Sequence, residues 1–427
     1  MTELPDGWVW ATLADCCAVT LGQSPPGSSY NESGVGMPFF QGKAEFGDLL
    51  PTIRKWTTQP TKTAAENDVL ISVRAPVGPT NLAPCDCAIG RGLGSLRPLG
   101  GIHSRYVLYW FRASERELAS RGTGTTFGAI SGAVLRQHSI PLAPLAEQRR
   151  IVAAIEEHLS RLDAAAAQLR NVKARIDGLR RSVLEAAVAD GSEATLGDLF
   201  VRIEAGRSAG GPAPPAREDE WGVIKVSAMT WRDFRPWENK QVPRDSVDPR
   251  HEIRAGDLLV SRANTTDYVG AAVLVRETRP RLLLSDKSLR LIVREDIDRE
   301  WLLYALLAPS TRRQISAVAT GTSDSMRNIS QQKLRSVRLR VPDAARQSQI
   351  RTEISGQLAA LSDLAASATS AQTKSAALRR SLLARAFRGE LVPQDPNDEP
   401  VSVLLERIAA ERPAQAARRG RKAPAPA

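Results

Sequence analysis

Two polar loops that contain glycine hold the residues best suited to binding chemistry. The first reads GTGTTFG over residues 122–128, and the second reads GTSDSMRN over residues 321–328. Glycine lets a backbone approach a ligand closely, while Thr, Ser, Asn and Arg offer donors for phosphate groups and for base edges. A loop of this composition is more often only a connection, but its identical placement in two copies of a repeat favours a binding role.

The two loops belong to an internal duplication. Residues 122–187 recur without gaps as residues 321–386, so that Gly122 corresponds to Gly321, 199 positions later. In the globular parts, 1–142 and 192–342, the framework strings repeat whereas the segments between them hardly match, and a duplication at this scale sets the architecture. We therefore expect one scaffold that is used twice, with different variable parts that bind two different targets.

The charge of the chain indicates a polyanionic partner. Its 427 residues include 58 Lys and Arg against 47 Asp and Glu, a formal net charge of +11. Nucleic acid is the usual partner of a protein with this excess. No apolar run approaches 18 residues, the N-terminus lacks the features of a signal peptide, and four cysteines suggest a reducing compartment. The sequence predicts a cytoplasmic protein without a membrane span.

Motifs for catalysis, metal binding and nucleotide binding are missing from the sequence. There is no Asn/Asp-Pro-Pro-Tyr/Phe run of the kind an amino-methyltransferase uses, and no Gly-Lys-Ser/Thr P-loop. The pairs Cys16-Cys17 and Cys85-Asp86-Cys87 lack the spacing of a zinc site, and the four histidines form no ligand pair. We expect a binding protein that is not an enzyme and that carries no metal and no cofactor of its own.

Two long segments with a single apolar stripe separate the β-rich parts of the chain. From Pro144 to about Asp190, and from Asp343 to about Arg388, apolar residues recur at spacings of three and four, as in a coiled-coil seam. A long helix of this kind needs a partner. We expect the two helices to pack on each other as an antiparallel pair; the alternative is that each docks on its own globular domain. The seam residues are Ile151, Ile155, Leu159, Leu162, Ala166, Leu169, Ile176, Leu179 and Val183, and then Ile350, Ile354, Leu358, Leu361, Ala365, Ala368, Leu378 and Leu382.

The sequence thus predicts an α+β fold in which two globular domains are joined by two long helices, packed as an antiparallel coiled coil with a pseudo-twofold internal repeat. The predicted boundaries are 1–142 for the first globular domain, 143–191 for the first helical spacer, 192–342 for the second globular domain, 343–390 for the second helical spacer, 391–411 for a C-terminal segment and 412–427 for a disordered basic tail.

Several strings resemble the specificity subunits of type I restriction–modification systems, over nearly the whole chain to about residue 410. The strings are IPLAPLAEQRRIV at 140–152, AFRGELVP at 386–393, DEP at 398–400, LLERI at 404–408 and Gln41-Gly42-Lys43. One departure is the second copy of the helix start, which reads RVPDAARQ at 340–347. It predicts a less well capped helix and a different local contact with a partner subunit.

The resemblance implies that two target recognition domains, held apart by the helical pair, each read one half of a split double-stranded DNA site. Two methylation subunits would supply S-adenosylmethionine chemistry, and two restriction subunits would supply translocation and cleavage with ATP and Mg. Arg and Lys can bind guanine, and Asn and Gln adenine. The candidate DNA contacts are Gln41, Lys43, Arg74, Thr123, Thr125 and Thr126 in the first domain and Lys225, Arg262, Asn264, Thr322, Ser323, Arg327 and Asn328 in the second.

Three alternatives stay open at this point. A coiled-coil scaffold that joins protein partners without reading DNA explains the duplication, but it does not explain the basic charge or the divergent segments. Salt-dependent binding of duplex DNA separates that hypothesis from DNA recognition. The second alternative is a specificity subunit that serves a methyltransferase fused to its nuclease. The third is an enzyme with an unrecognised active site, which the missing motifs disfavour.

Overall fold

The chain folds into two compact units, each of which contains part of both long helices. The structure, a computed structural model, describes residues 3–122, 128–207, 211–230, 233–323 and 326–420. The first unit comprises Met1–Gln168 and Ala371–Ala427, and the second comprises Leu169–Ser370. These limits follow contacts and cut through both long helices, so the domain boundaries given above stay a prediction.

The chain contains both helices and strands, which confirms the predicted mixture of the two. Within the described residues, every helix is too short or too polar to cross a membrane. The helices are α1 Leu13–Cys16, α2 Ser104–Ser120, α3 Gly132–Arg136, α4 Leu145–Glu185, α5 Arg299–Leu307, α6 Pro309–Val318, α7 Gln331–Arg335, α8 Ala344–Ala386 and α9 Val401–Gly420.

In the first unit, the central sheet is antiparallel and has the strand order β2-β10-β7-β8. A second sheet has the order β3-β5-β4-β9-β6, with β4 and β9 parallel, and β1 pairs with β11 separately. The strands are β1 Val9–Thr12, β2 Cys17–Leu21, β3 Tyr30–Asn31, β4 Met37–Phe40, β5 Trp56–Thr57, β6 Thr63–Ala64, β7 Val69–Ser72, β8 Thr80–Leu82, β9 Cys87–Ile89, β10 Leu93–Pro98 and β11 Ser139–Leu142.

In the second unit, the central sheet has the order β13-β20-β16-β18, and β12 pairs with β23. Two smaller sheets have the orders β15-β14-β19, with β14 and β19 parallel, and β17-β22-β21. The strands are β12 Ser192–Thr195, β13 Phe200–Ala205, β14 Gly222–Ile224, β15 Asn239–Gln241, β16 Leu258–Ser261, β17 Ala263–Asn264, β18 Ala272–Leu274, β19 Leu282–Leu283, β20 Ser288–Val293, β21 Thr320–Ser323, β22 Met326–Asn328 and β23 Arg338–Val341.

Corresponding residues pair in the same register in the two units. Thr12 faces Ser139 in the first unit, and Thr195 faces Arg338 in the second. The side chain of Asp15 accepts hydrogen bonds from the N–H and hydroxyl of Thr12, and Asp198 does the same for Thr195. The repeated sequence strings therefore form the same local structures.

The largest hydrophobic core of each unit includes parts of both long helices. In the first unit, Ile151 and Ile155 of α4 are buried in one cluster with Leu383 and Ala386 of α8. Further along the same two helices, Asp163 and Arg379 form an ion pair. In the second unit, Ile350 and Ile354 of α8 are buried in one cluster with Leu184 of α4.

Two predicted seam residues are exposed instead of buried. Leu179 and Leu378 are 55% and 57% exposed, although they fit the apolar spacing of α4 and α8. The prediction was wrong for them, because spacings of three and four do not fix which apolar side chain has a neighbour to cover it.

The start of α8 is better capped than the sequence predicts. Asp343 precedes the helix, and its carboxylate accepts the N–H of Arg346 at 2.9 Å. The corresponding residue before α4 is Pro144, whose side chain has no acceptor. The departure from the family string therefore supplies a cap instead of removing one.

The C-terminal helix also extends further than predicted. The backbone of α9 is helical to Gly420, whereas the sequence predicts a disordered tail from residue 412. Residues 421–427 lie outside the described residues. Val401, Leu404 and Ile408 of α9 are buried in the core of the first unit.

Candidate nucleic-acid interface

A tight turn connects β9 to β10 in the first unit. The N–H of Leu93 donates to the carbonyl of Gly90 at 3.0 Å, so Arg91 occupies the first central position of the turn. The N–H of Gly90 donates to the carbonyl of Phe40 at 2.8 Å, which joins the turn to the end of β4. Arg91 and Gln41, the first residue after β4, are both exposed and extend from this junction.

The chain that leaves β2 approaches the same turn closely. A Cβ atom on Gly22 would lie 2.2 Å from the carbonyl oxygen of Gly90, so the position requires glycine. The N–H of Gln23 donates to the last carbonyl of β9 at 3.0 Å, and the hydroxyl of Ser24 accepts the N–H of Arg91 at 3.3 Å. The exposed side chain of Gln23 therefore lies beside the turn.

Backbone hydrogen bonds also place Arg74 near the turn between β9 and β10. The N–H of Val73 donates to the carbonyl of Gly92 at 2.9 Å, and the carbonyl of Val73 accepts the N–H of Ile130 at 3.0 Å. Arg74 follows, is exposed, and forms an isolated bridge with Ala129. The predicted loop residues Thr123, Thr125 and Thr126 precede Ala129 in the chain but lie outside the described residues.

The second unit builds the same junction with different side chains. The N–H of Ser288 donates to the carbonyl of Ser285 at 3.1 Å, which places Asp286 and Lys287 at the centre of the turn between β19 and β20. A Cβ atom on Gly206 would lie 2.2 Å from the carbonyl oxygen of Leu284. The next residue, Arg207, is exposed and forms a bridge with Ser285.

Two predicted residues of the second unit lie at this junction. Lys225 is the first residue after β14, as Gln41 is after β4, and it is exposed. The N–H of Arg262 donates to the carbonyl of Lys287 at 2.8 Å, and its carbonyl accepts the N–H of Ile329 at 3.0 Å. Arg262 thus makes the two backbone bonds that Val73 makes in the first unit.

We call these two sets of side chains the loop platforms. The platform of the first unit consists of Gln23, Gln41, Arg74 and Arg91. The platform of the second unit consists of Arg207, Lys225, Arg262, Asp286 and Lys287.

The other predicted residues lie outside the loop platforms, and two of them form hydrogen bonds with nearby backbone groups. The side-chain oxygen of Asn264 accepts the N–H of Thr265 at 2.9 Å, and the guanidinium of Arg327 donates to the carbonyl of Ala319 at 2.8 Å. Asn264 and Arg327 are also paired across β17 and β22, while Asn328 is exposed on β22. Lys43 is exposed and begins a short turn, and Thr322 and Ser323 lie in the backbone of β21.

The cations of the loop platforms differ in their electrostatic partners from the arginines that form ion pairs. Ion pairs with carboxylates hold arginines such as Arg97, Arg290 and Arg294. In the part of the chain that the structure describes, Arg74, Arg91, Arg207, Lys225 and Arg262 take part in no such pair. Cations without a carboxylate partner at the junction of each unit favour a polyanionic ligand. Across the same described residues, no group of His, Cys, Asp or Glu could hold a metal ion.

Five platform residues were missed by the sequence analysis: Gln23, Arg91, Arg207, Asp286 and Lys287. A signal for two of them exists in the sequence. Gly22-Gln23-Ser24 and Gly206-Arg207-Ser208 each follow the first strand of a central sheet. The turn residues carry no such signal, because positions 91 and 286 have different chemistry.

Comparison with known proteins shows what the chain is similar to. Residues 5–174 match the family model described as the type I restriction modification DNA specificity domain. A specificity subunit named EcoKI, from Escherichia coli, is 24% identical over 99% of this chain and 98% of its own length. Along nearly its whole length the chain is thus similar to type I restriction enzyme specificity subunits. The residues that match the family model include the first loop platform. The alignment with EcoKI also includes the second loop platform.

Two further similarities concern part of the chain and the fold. A putative MjaX specificity subunit from Methanocaldococcus jannaschii is 37% identical over 185 residues, so this chain matches 43% of that relative's length. The solved structure of an HsdS subunit from Thermoanaerobacter tengcongensis superposes with a TM-score of 0.56 over 91% of this chain and 99% of that one, at 20% identity. That likeness concerns the fold alone.

Proposed function

We propose that this chain selects the DNA sequence on which a type I restriction–modification complex acts. Each unit reads one half of a bipartite duplex site through its loop platform. The observation that carries this proposal is the same backbone junction in both units with different exposed side chains, such as Gln41 in one and Lys225 in the other. A common scaffold with different polar groups suits the reading of two different base sequences.

In this proposal the two long helices form an antiparallel pair that fixes the length of the spacer between the half-sites. The buried clusters that combine α4 and α8, together with the ion pair between Asp163 and Arg379, support the pairing. The order of contacts along the helices in the first unit also supports an antiparallel direction, since residues later in α4 meet residues earlier in α8. The recurring sequence supports a pseudo-twofold relation between the units.

In this proposal the chain selects the DNA sequence, and its partner subunits carry out the reactions. We assign methyl transfer from S-adenosylmethionine to two methylation subunits, and ATP- and Mg-dependent translocation and cleavage to two restriction subunits. The chain itself is then not an enzyme and holds no cofactor. A location in the cytoplasm belongs to the same proposal.

Methylation mapping tests the proposal in cells that contain the cognate methylation subunits. Adenine methylation that is lost on deletion of this chain, at two short specific blocks around a fixed gap, is the expected result. A continuous motif would contradict the two-unit reading. As a control, expression of the chain in the deletion strain should restore methylation of the same motif.

Duplex binding by the assembled complex tests the scaffold alternative. Affinity for duplex DNA should fall steeply with salt, because platform cations displace counterions from phosphates. Replacement of Arg262 by Ala should reduce the salt slope by about 1. The control Arg313→Ala removes the same charge from an exposed site on α6 and should leave the slope unchanged. A complex without salt-dependent binding would instead support the scaffold.

A further inference from the structure

Arg91 and Asp286 occupy the same place in the two units. Each is the first central residue of the turn that leads into the second strand of its central sheet, closed by one backbone bond of 3.0 or 3.1 Å. Each turn is approached by a glycine that could not carry a Cβ atom. The two side chains are exposed on turns closed by the same type of backbone bond, but one is a cation and the other an anion.

Asp286 is the one acidic residue of its loop platform. The other members of the loop platform in the second unit are Arg207, Lys225, Arg262 and Lys287, all cations. Among the described residues, no hydrogen bond or ion pair occupies the carboxylate of Asp286. On a surface that meets duplex DNA, a carboxylate is repelled by the phosphates and weakens binding. It is favourable only against a hydrogen-bond donor of a base.

The major groove offers such donors in two bases, the amino groups of cytosine and adenine, whereas guanine and thymine present acceptors there. Guanine is the preferred partner of arginine in the same groove. Opposite charges at one position of a shared scaffold therefore correspond to opposite hydrogen-bonding patterns on the bases.

We propose that Asp286 and Arg91 are specificity-determining residues at equivalent positions of the two half-site readers. Asp286 accepts a hydrogen bond from the exocyclic amino group of a cytosine or adenine, and Arg91 donates to a guanine. This proposal rests on the proposed function and adds to it the class of base that each unit reads at this position.

The experiment is methylation mapping with the full chain and its cognate methylation subunits, first as wild type and then as the variants Asp286→Ala and Asp286→Asn. The wild-type motif should contain a base with an amino group in the half-site read by the second unit. With Asp286→Ala, discrimination at that one base should fall by about tenfold, while the other half-site keeps its sequence. Non-specific duplex affinity should rise, because a repelled carboxylate is lost.

Glu295→Ala is the matched control in the second unit. Glu295 is an exposed carboxylate beyond the other end of β20, a six-residue strand of about 20 Å, so its removal changes the net charge equally without altering the platform. Its motif and its non-specific affinity should be those of the wild type. In the first unit, Arg91→Ala should relax one guanine of the other half-site, and Arg116→Ala on α2 should not.

Two results would overturn the inference while the proposed function stands. One is an unchanged motif with both Asp286 variants, and the other is a uniform loss of methylation at all sites without a change of motif. The proposed function fails separately, if the wild-type complex neither methylates a split motif nor binds duplex DNA.

Discussion

Gln148 and Gln347 make the same two hydrogen bonds in the two units, 199 residues apart. Each is buried, with at most 1% exposure, near the start of a long helix. Each side-chain amide donates to a backbone carbonyl five residues earlier and accepts the N–H of the residue that caps a neighbouring helix, α2 or α5. The partners are Ala143 and His103 for Gln148, at 2.8 and 3.0 Å, and Pro342 and Asp298 for Gln347, at 2.9 and 2.8 Å.

This relationship predicts that Gln148→Ala and Gln347→Ala each lower the free energy of unfolding by about 1–3 kcal/mol, since a buried N–H and a buried carbonyl lose their partner. Urea-induced unfolding monitored by circular dichroism measures the change. The control Gln168→Ala, at an exposed position of α4, should change stability by less than about 0.5 kcal/mol. Equal effects in all three variants would show that the buried bonds contribute little.

Gly22 is predicted to be essential for the first loop platform. Alanine there would place its Cβ atom 2.2 Å from the carbonyl oxygen of Gly90, so the turn that carries Arg91 must shift. We expect Gly22→Ala to cost about 1–3 kcal/mol of stability and to weaken duplex binding by the complex. Gly27→Ala is the control, because a Cβ atom at Gly27 meets nothing within 4 Å. Wild-type binding by Gly22→Ala would argue against the close approach.

Arg290 is predicted to stabilise the second unit more than any surface arginine. Its guanidinium is only 9% exposed, pairs with Glu204 and Asp257, and donates to two backbone carbonyls. Arg290→Met should lower the free energy of unfolding by about 3–5 kcal/mol, because it leaves these acceptors without a charge partner. Arg294→Ala, which breaks the exposed pair with Asp296, should cost much less, because solvent screens an exposed pair. Similar losses from both variants in urea unfolding would contradict this account.

The large elements were predictable because their signals are local. Apolar spacing over more than ten helical turns placed α4 and α8 within a few residues of their observed bounds, Leu145–Glu185 and Ala344–Ala386. The capping of α8 was misjudged by comparison with a family string, although Asp is itself a strong N-cap residue. The burial of single seam residues was not predictable, as the exposed Leu179 and Leu378 show.

The candidate site was only partly predictable for a physical reason. Gln41, Arg74, Lys225 and Arg262 follow strands whose periodicity can be read, and the structure places them on the loop platforms. Arg91 and Asp286 reach the same platforms through a turn whose neighbours come from distant strands. The position of each turn beside the other platform residues depends on the order of strands in the sheets. The spacing of residues along the chain does not predict that order.

The buried His138 predicts a pH dependence of stability in the first unit. Its ring is 1% exposed, stacks on Phe111 at 5.5 Å, and has Nε2 3.1 Å from the hydroxyl of Ser114. Burial lowers the pKa of His138 below its ordinary value of 6.5. The unfolded chain therefore binds more protons than the folded chain below about pH 6.5, and stability is lost as the pH falls through that range.

His138→Gln removes this titration and can keep a hydrogen bond to Ser114. Between about pH 7.5 and about pH 5.5, the variant should lose less unfolding free energy than the wild type, even if it is less stable at the higher pH. His158→Gln, at an exposed position of α4, provides the control and should follow the wild-type curve. Parallel curves for wild type and His138→Gln would show that the buried ring does not titrate in this range. Because each comparison is a difference between curves, contributions from other titrating groups cancel, and the slope that remains belongs to His138.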